Sequence, residues 1–188
     1  MHHWARADNA RFAAFALSRL PPEDLNRLQA ALPYGGTPHI AIHEAFLREA
    51  ALALELILKA VVAARIEGGT APSRVVRVRL THDVLKLWEE DAGLPELPRE
   101  DRMTLAIAAS ILLWAGRYAA PAKDEVYEFE TERDELIDPP PAGGKIRIRK
   151  GRSISWDQFD RVYAVAAAEF WRLHDGFSHR DPGATGSK

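Results

Sequence analysis

The stretch AALALELILKAVVAA, Ala50 to Ala64, decides the reading of this chain. Across these fifteen residues the only polar side chains are Glu55 and Lys59, which stand four apart. That spacing puts both on one face of a helix, so the carboxylate and the ammonium can meet. A charge pair among apolar neighbours is costly unless it is paired or lines a cleft. The run falls short of the roughly 20 residues that span a bilayer and carries two charges. It therefore predicts a buried core helix and no membrane partner.

Outward from this run the pattern stays helical. The central helix is expected from about His39 to Glu67, with Ile42, Phe46 and Leu52 at helical spacing, and Gly68-Gly69 ends it. Upstream, a weak helix over Ala7 to Leu20 stops at Pro21-Pro22. Pro22 suits the first turn of a second helix, where Glu23 and Asp24 face the positive end, and this helix ends by Pro33. Downstream, residues 70 to 80 read as a linker or short extended piece. Thr81 is expected to cap a helix running through Glu90, with Val84, Leu85 and Trp88 on one side. Pro95 and Pro98 mark a loop, and another apolar helix follows over about Arg99 to Trp114.

The last third is patterned by charge. Residues 123 to 138 hold eight acidic and two basic side chains, whereas 145 to 152 hold five basic ones. Both segments alternate apolar and polar residues around the loop Asp138-Pro139-Pro140-Pro141, which predicts a small antiparallel hairpin over about 123–152 with opposite charges facing. Ser155 and Gln158 form a capping box for a final helix whose buried face is Trp156, Phe159, Val162, Tyr163, Ala166 and Phe170. Residues 179–188 read as a disordered tail. The expected fold is thus all-α: an up-and-down bundle of five to six helices in a single domain over 1–178, with the hairpin inserted before the last helix.

Composition bounds the function. At 188 residues, 47% hydrophobic, the chain can bury a sizeable core. A net charge of −2 argues against a chain that binds nucleic acid through bulk charge, and leaves local patches open. The absence of cysteine excludes disulfides, thiol catalysis and thiolate metal sites, and fits a reducing cytoplasm. Met1 to Arg6 show no apolar leader, so a cytoplasmic location is expected. His39, His43 and Glu44 put two imidazoles one turn apart, yet zinc would need a further ligand, so no metal and no cofactor is expected.

Three pieces in order resemble the HEPN superfamily, named for higher eukaryotes and prokaryotes nucleotide-binding. They are Leu54-Glu55-Leu56-Ile57-Leu58-Lys59-Ala60, then Thr81-His82-Asp83-Val84-Leu85-Lys86-Leu87, then Trp114-Ala115-Gly116-Arg117-Tyr118. The resemblance covers Ile40 to Pro121. It implies a helical bundle, often a homodimer across the active cleft. Many members are metal-independent ribonucleases of toxin–antitoxin or phage-defence systems; others are silent partners of nucleotidyltransferases, or binding modules. The family's nuclease motif is arginine, four to six residues, then histidine, a spacing met by Arg77 to His82 and by Arg172 to His179.

On that resemblance His82 is the candidate base, Arg77 or Arg117 the phosphate ligand, and Glu55, Lys59 and Asp83 the groups that shape the cleft. An imidazole titrates near neutrality and can take a hydroxyl proton without a metal. The plainer alternative makes His82 a first-turn residue beside a capping Asp83, Arg117 a cation favourable at a helix C-terminus, and Glu55–Lys59 a structural pair. The function expected is binding or cleavage of RNA or a nucleotide, with an antitoxin or a nucleotidyltransferase as possible partner. The alternative is a non-catalytic homodimeric interaction module.

Overall fold

The computed structural model describes residues 2–32, 34–115 and 153–178, and within them the fold is all-α, without strands. Six helical segments are numbered here in chain order: α1 (His2–Ser18), α2 (Pro22–Ala31), α3 (Pro38–Glu67), α4 (Val84–Lys86), α5 (Arg99–Ala115) and α6 (Trp156–Ser178). The hairpin expected over 123–152, Arg117, and the tail from His179 lie outside the described residues.

α3 is the axis of the bundle, and α1, α5 and α6 pack around it. Its middle is buried nearly all round, with Ala50, Ala53, Leu54, Ile57, Leu58, Val61 and Val62 closed to solvent, which is the pattern of a core helix rather than an amphipathic one. α1 approaches α3 through small residues, Ala7, Ala10 and Ala14, so the two backbones come close. The start of α1 lies beside the end of α3, since His3 and Trp4 line one cavity with Ala60, Ala63 and Ala64. α6 runs antiparallel to α1. Trp156 packs edge-on against Phe15 at 5.0 Å and Phe170 stacks on Trp4 at 5.3 Å.

The stop at Gly68-Gly69 is a Schellman turn. Gly69 has φ +65°, its N–H donates to Ile66 O at 3.1 Å, and Thr70 N–H reaches back to Arg65 O at 2.9 Å. The capping box of α6 is formed as expected: Gln158 N–H donates to Ser155 Oγ at 3.3 Å, and Ser155 N–H donates to Gln158 Oε1 at 3.0 Å.

Two boundaries differ from expectation. α1 begins five residues before Ala7, at His2, because Trp4 is held by Phe170 and Trp171, a tertiary contact that local periodicity does not report. The helix after the linker is capped by Asp83, not Thr81. Asp83 Oδ1 accepts from Lys86 N–H at 3.2 Å, while Thr81 Oγ1 accepts from Asp83 N–H at 3.1 Å and so closes a turn just ahead of the helix. After Lys86 the helix widens into a π-helical turn, Leu87–Asp91, closed by Ala92 N–H to Leu87 O at 2.8 Å. Trp88 is fully buried there and donates its indole N–H to Pro95 O at 2.9 Å.

Candidate functional site

Glu55 and Lys59 emerge one turn apart from the most buried part of α3. Their side chains retain 7% and 12% of their accessible surface, and Lys59 Nζ stands 2.5 Å from Glu55 Oε1. The chain leaves α3 at the Schellman turn, returns through residues 70–80 and brings His82 back over this pair. His82 Nδ1 lies 3.1 Å from Glu55 Oε2. The two carboxylate oxygens are thus divided, one to the ammonium and one to the imidazole. His82 itself is 56% exposed, so the buried carboxylate orients a ring that reaches solvent. In the tautomer whose Nδ1 donates to Glu55, Nε2 keeps the lone pair.

The return loop is fastened at several points. Val75 is buried, Arg74 Nη2 donates to Glu90 O at 2.8 Å, and Arg79 Nη1 meets Glu90 Oε2 at 2.9 Å. Arg77, between these two arginines in sequence, is exposed. Val84, fully buried, anchors the segment directly after His82 and Asp83. Asp83 is itself buried and spent on the helix cap.

The structure therefore joins Glu55, Lys59 and His82 into one cluster, as the fold of the linker allows. Arg77 rides on the same loop. Arg117 lies outside the described residues, as does His179 of the alternative motif, whose Arg172 is bound to Glu169 at 2.7 Å. His43 approaches Ser153 Oγ at 3.2 Å and its ring lies over Phe46. Among the described residues no group of three His, Asp or Glu side chains is placed to hold a metal ion. No helix among them is long and apolar enough to cross a membrane.

Two features escaped the sequence reading. Asp91, at the end of the π turn, is completely buried, and neither of its oxygens has a hydrogen bond. Arg79 Nε comes to 3.1 Å of Oδ2 without the alignment of one. Burial pushes the Asp91 carboxyl up from its ordinary range, against the pull of Arg79. The signal was present: Asp91 stands three residues after Trp88 and four after Leu87, on their face. The second feature is Arg65, which reaches from α3 to Glu169 of α6 at 2.5 Å and donates to Gly93 O at 3.1 Å. Gly93 has φ +59°, and a Cβ there would meet Arg65 Cζ at 3.3 Å. The hydrogen bond from Arg172, aided by Arg65, holds the Glu169 carboxyl below its ordinary range in spite of its burial.

No protein-family model matches the chain, and no curated protein and no solved structure matches it either.

Proposed function

We propose that this chain is a HEPN-like protein that binds RNA or a nucleotide and cleaves RNA without a metal, with His82 as the base. One observation carries the reading: Glu55, buried and neutralised by Lys59, presents its second oxygen to His82 Nδ1 at 3.1 Å. A carboxylate that fixes the ring and its tautomer is what a histidine base requires, and the ring remains largely exposed. In the reaction Nε2 takes the proton of a ribose 2′-hydroxyl. The freed oxygen bonds to the adjacent phosphorus, the bond from phosphorus to O5′ breaks, and O5′ leaves with the proton returned by the imidazolium. The products are a 2′,3′-cyclic phosphate and a 5′-hydroxyl.

Arg77 on the return loop, and Arg117 after α5 in sequence, are the candidates for charge on the phosphate. Lys59 and Glu55 position the base, and Asp83 acts through the cap that places His82.

Cleavage of a mixed-sequence RNA by the purified chain in excess chelator tests this. His82→Ala is expected to lose at least about a hundredfold in rate, the low end of general-base catalysis. Undiminished cleavage by His82→Ala removes His82 from the mechanism. Neither cleavage nor binding of RNA ends the reading altogether.

A second reading, a non-catalytic homodimeric interaction module, is favoured by α2. This helix buries none of its residues, and Leu25 and Leu28 stand one turn apart on it, with Leu32 just past its end. Nearby in sequence Phe12 is 73% exposed and Leu32 63%. A ten-residue helix is marginal on its own and gains from a partner surface. Sedimentation showing a dimer that Leu28→Glu dissociates is the expected result; a wild-type monomer at high concentration rules the homodimer out.

A further inference from the structure

A cavity of about 200 Å³ opens where the start of α1, the end of α3 and the end of α6 meet, further along α3 than Glu55 and Lys59. It exists because α3 offers only Ala60, Ala63 and Ala64 there, while Trp4 and Phe170 stand as an aromatic wall. The wall is rigid. Trp4 stacks on Phe170 at 5.3 Å and meets Trp171 edge-on at 4.9 Å, so neither ring can turn to fill the space.

The polar groups on the lining are His3, His174 and Glu67. Among the described residues that line it, Glu67 is the only carboxylate and none is a lysine or arginine. Glu67 is also the last residue of α3, a helix of 30 residues, so the negative end of the helix dipole adds to the carboxylate. Two imidazoles stand on the same lining. At this size the cavity is below the roughly 300–1,000 Å³ that takes a drug-sized molecule, which leaves room for one ring and a short arm.

From this we infer that the cavity is a binding site for a small organic cation, an ammonium or amidinium on a flat apolar body, held by Glu67 and the Trp4–Phe170 wall. Phosphate and carboxylate ligands are disfavoured by the same carboxylate. The inference is independent of the RNA reading, because no residue is shared between the two sites.

Calorimetric titration of the full chain at pH 8 tests it with two probes built on the same carbon frame, 2-phenylethylamine and 3-phenylpropionate. The amine is expected to bind in the millimolar range or tighter and the acid at least about tenfold more weakly. Glu67→Gln, an exposed substitution that spares the core, should weaken the amine at least about fivefold. Ala63→Leu should abolish binding by filling the space. Equal binding of both probes, no binding of the amine up to 10 mM, about the upper end of useful affinity for so small a ligand, or amine binding untouched by Glu67→Gln overturns the proposal. Should Ala63→Leu fail to fold, the Glu67→Gln and probe comparisons still decide it.

Discussion

Two acidic groups, Glu55 and Asp91, sit behind the same return loop and are treated in opposite ways. Glu55 is nearly buried and has a cation on one oxygen and an imidazole on the other. Asp91 is fully buried and has a guanidinium nearby but no hydrogen bond on either oxygen. The difference lies in what each helix provides. A regular α-helix brings Lys59 to Glu55 by its own four-residue period, so the partner is built into α3. The π turn carries Asp91 inward with Trp88, and its partner must come from the loop, where Arg79 is shared with Glu90. A charge provided for locally can be buried and still be aimed at a further group. A charge provided for from a loop is left under-satisfied.

The sharpest way to break this comparison is to remove one member of the satisfied pair. Lys59→Ala leaves Glu55 buried without its cation and should lower stability by about 3–5 kcal/mol, measured by urea unfolding. The double change Glu55→Leu with Lys59→Met should cost less than Lys59→Ala alone, since no charge is then stranded. If the double variant is the worse of the two, the pair is not isolated in the way its geometry indicates.

Next in size is Glu169→Gln, which strips the carboxylate from the largely buried Arg65 and should cost about 1.5–3 kcal/mol. Its pH dependence follows from the sign of the shift. The folded state holds the Glu169 carboxyl below its ordinary range, so its contribution is present above the unfolded value and lost as pH falls through the folded one. The gap between wild type and Glu169→Gln should therefore close on acidification below the usual carboxylate range.

Asp91→Asn should do the reverse and be smaller, within about 1 kcal/mol at pH 7. The folded state raises this carboxyl, so its contribution is fully present below the unfolded value and fades as pH rises through the folded one. Relative to wild type the asparagine variant should gain stability between acid and neutral pH. A variant that loses ground over that interval would place Asp91 with Glu55 among the well-satisfied carboxylates.

The smallest expected effect is at Tyr163, whose buried hydroxyl has no partner and whose ionisation burial pushes up. Tyr163→Phe keeps the ring beneath Arg11, 5.0 Å from its centroid, and should move the unfolding midpoint by less than about 0.5 kcal/mol equivalent.

Much of this architecture is legible in the chain itself. The stop at Gly68-Gly69, the prolines at 21–22 and the Ser155/Gln158 box each act through backbone geometry within a few residues, and each appears where the residues say. The meeting of His82 with Glu55 was legible as a possibility, because the linker is long enough to return over α3. Which residue caps α4 was not. Thr81 and Asp83 are both good caps, and the choice between them depends on Val84 and Leu87 reaching the core, a matter of packing. Trp4 was missed for the same reason: its partners Phe170 and Trp171 lie more than 160 residues away. The role of Arg65 was hidden likewise, since Glu169 is remote in sequence.

The pairing of α1 with α6 also sets a schedule for synthesis. α1 ends at Ser18 and α6 does not begin until Trp156, so 137 residues are made between them. At about 5–20 residues per second the aromatic side of α1, Trp4 and Phe15 among it, waits on the order of 7–30 s for the helix that covers it. α3 arrives much sooner and can shelter the alanine face of α1 meanwhile. Among the described residues, the aromatic face meets its ring partners only in α6. That interval is when a nascent chain of this protein is most exposed to capture by chaperones or by its neighbours.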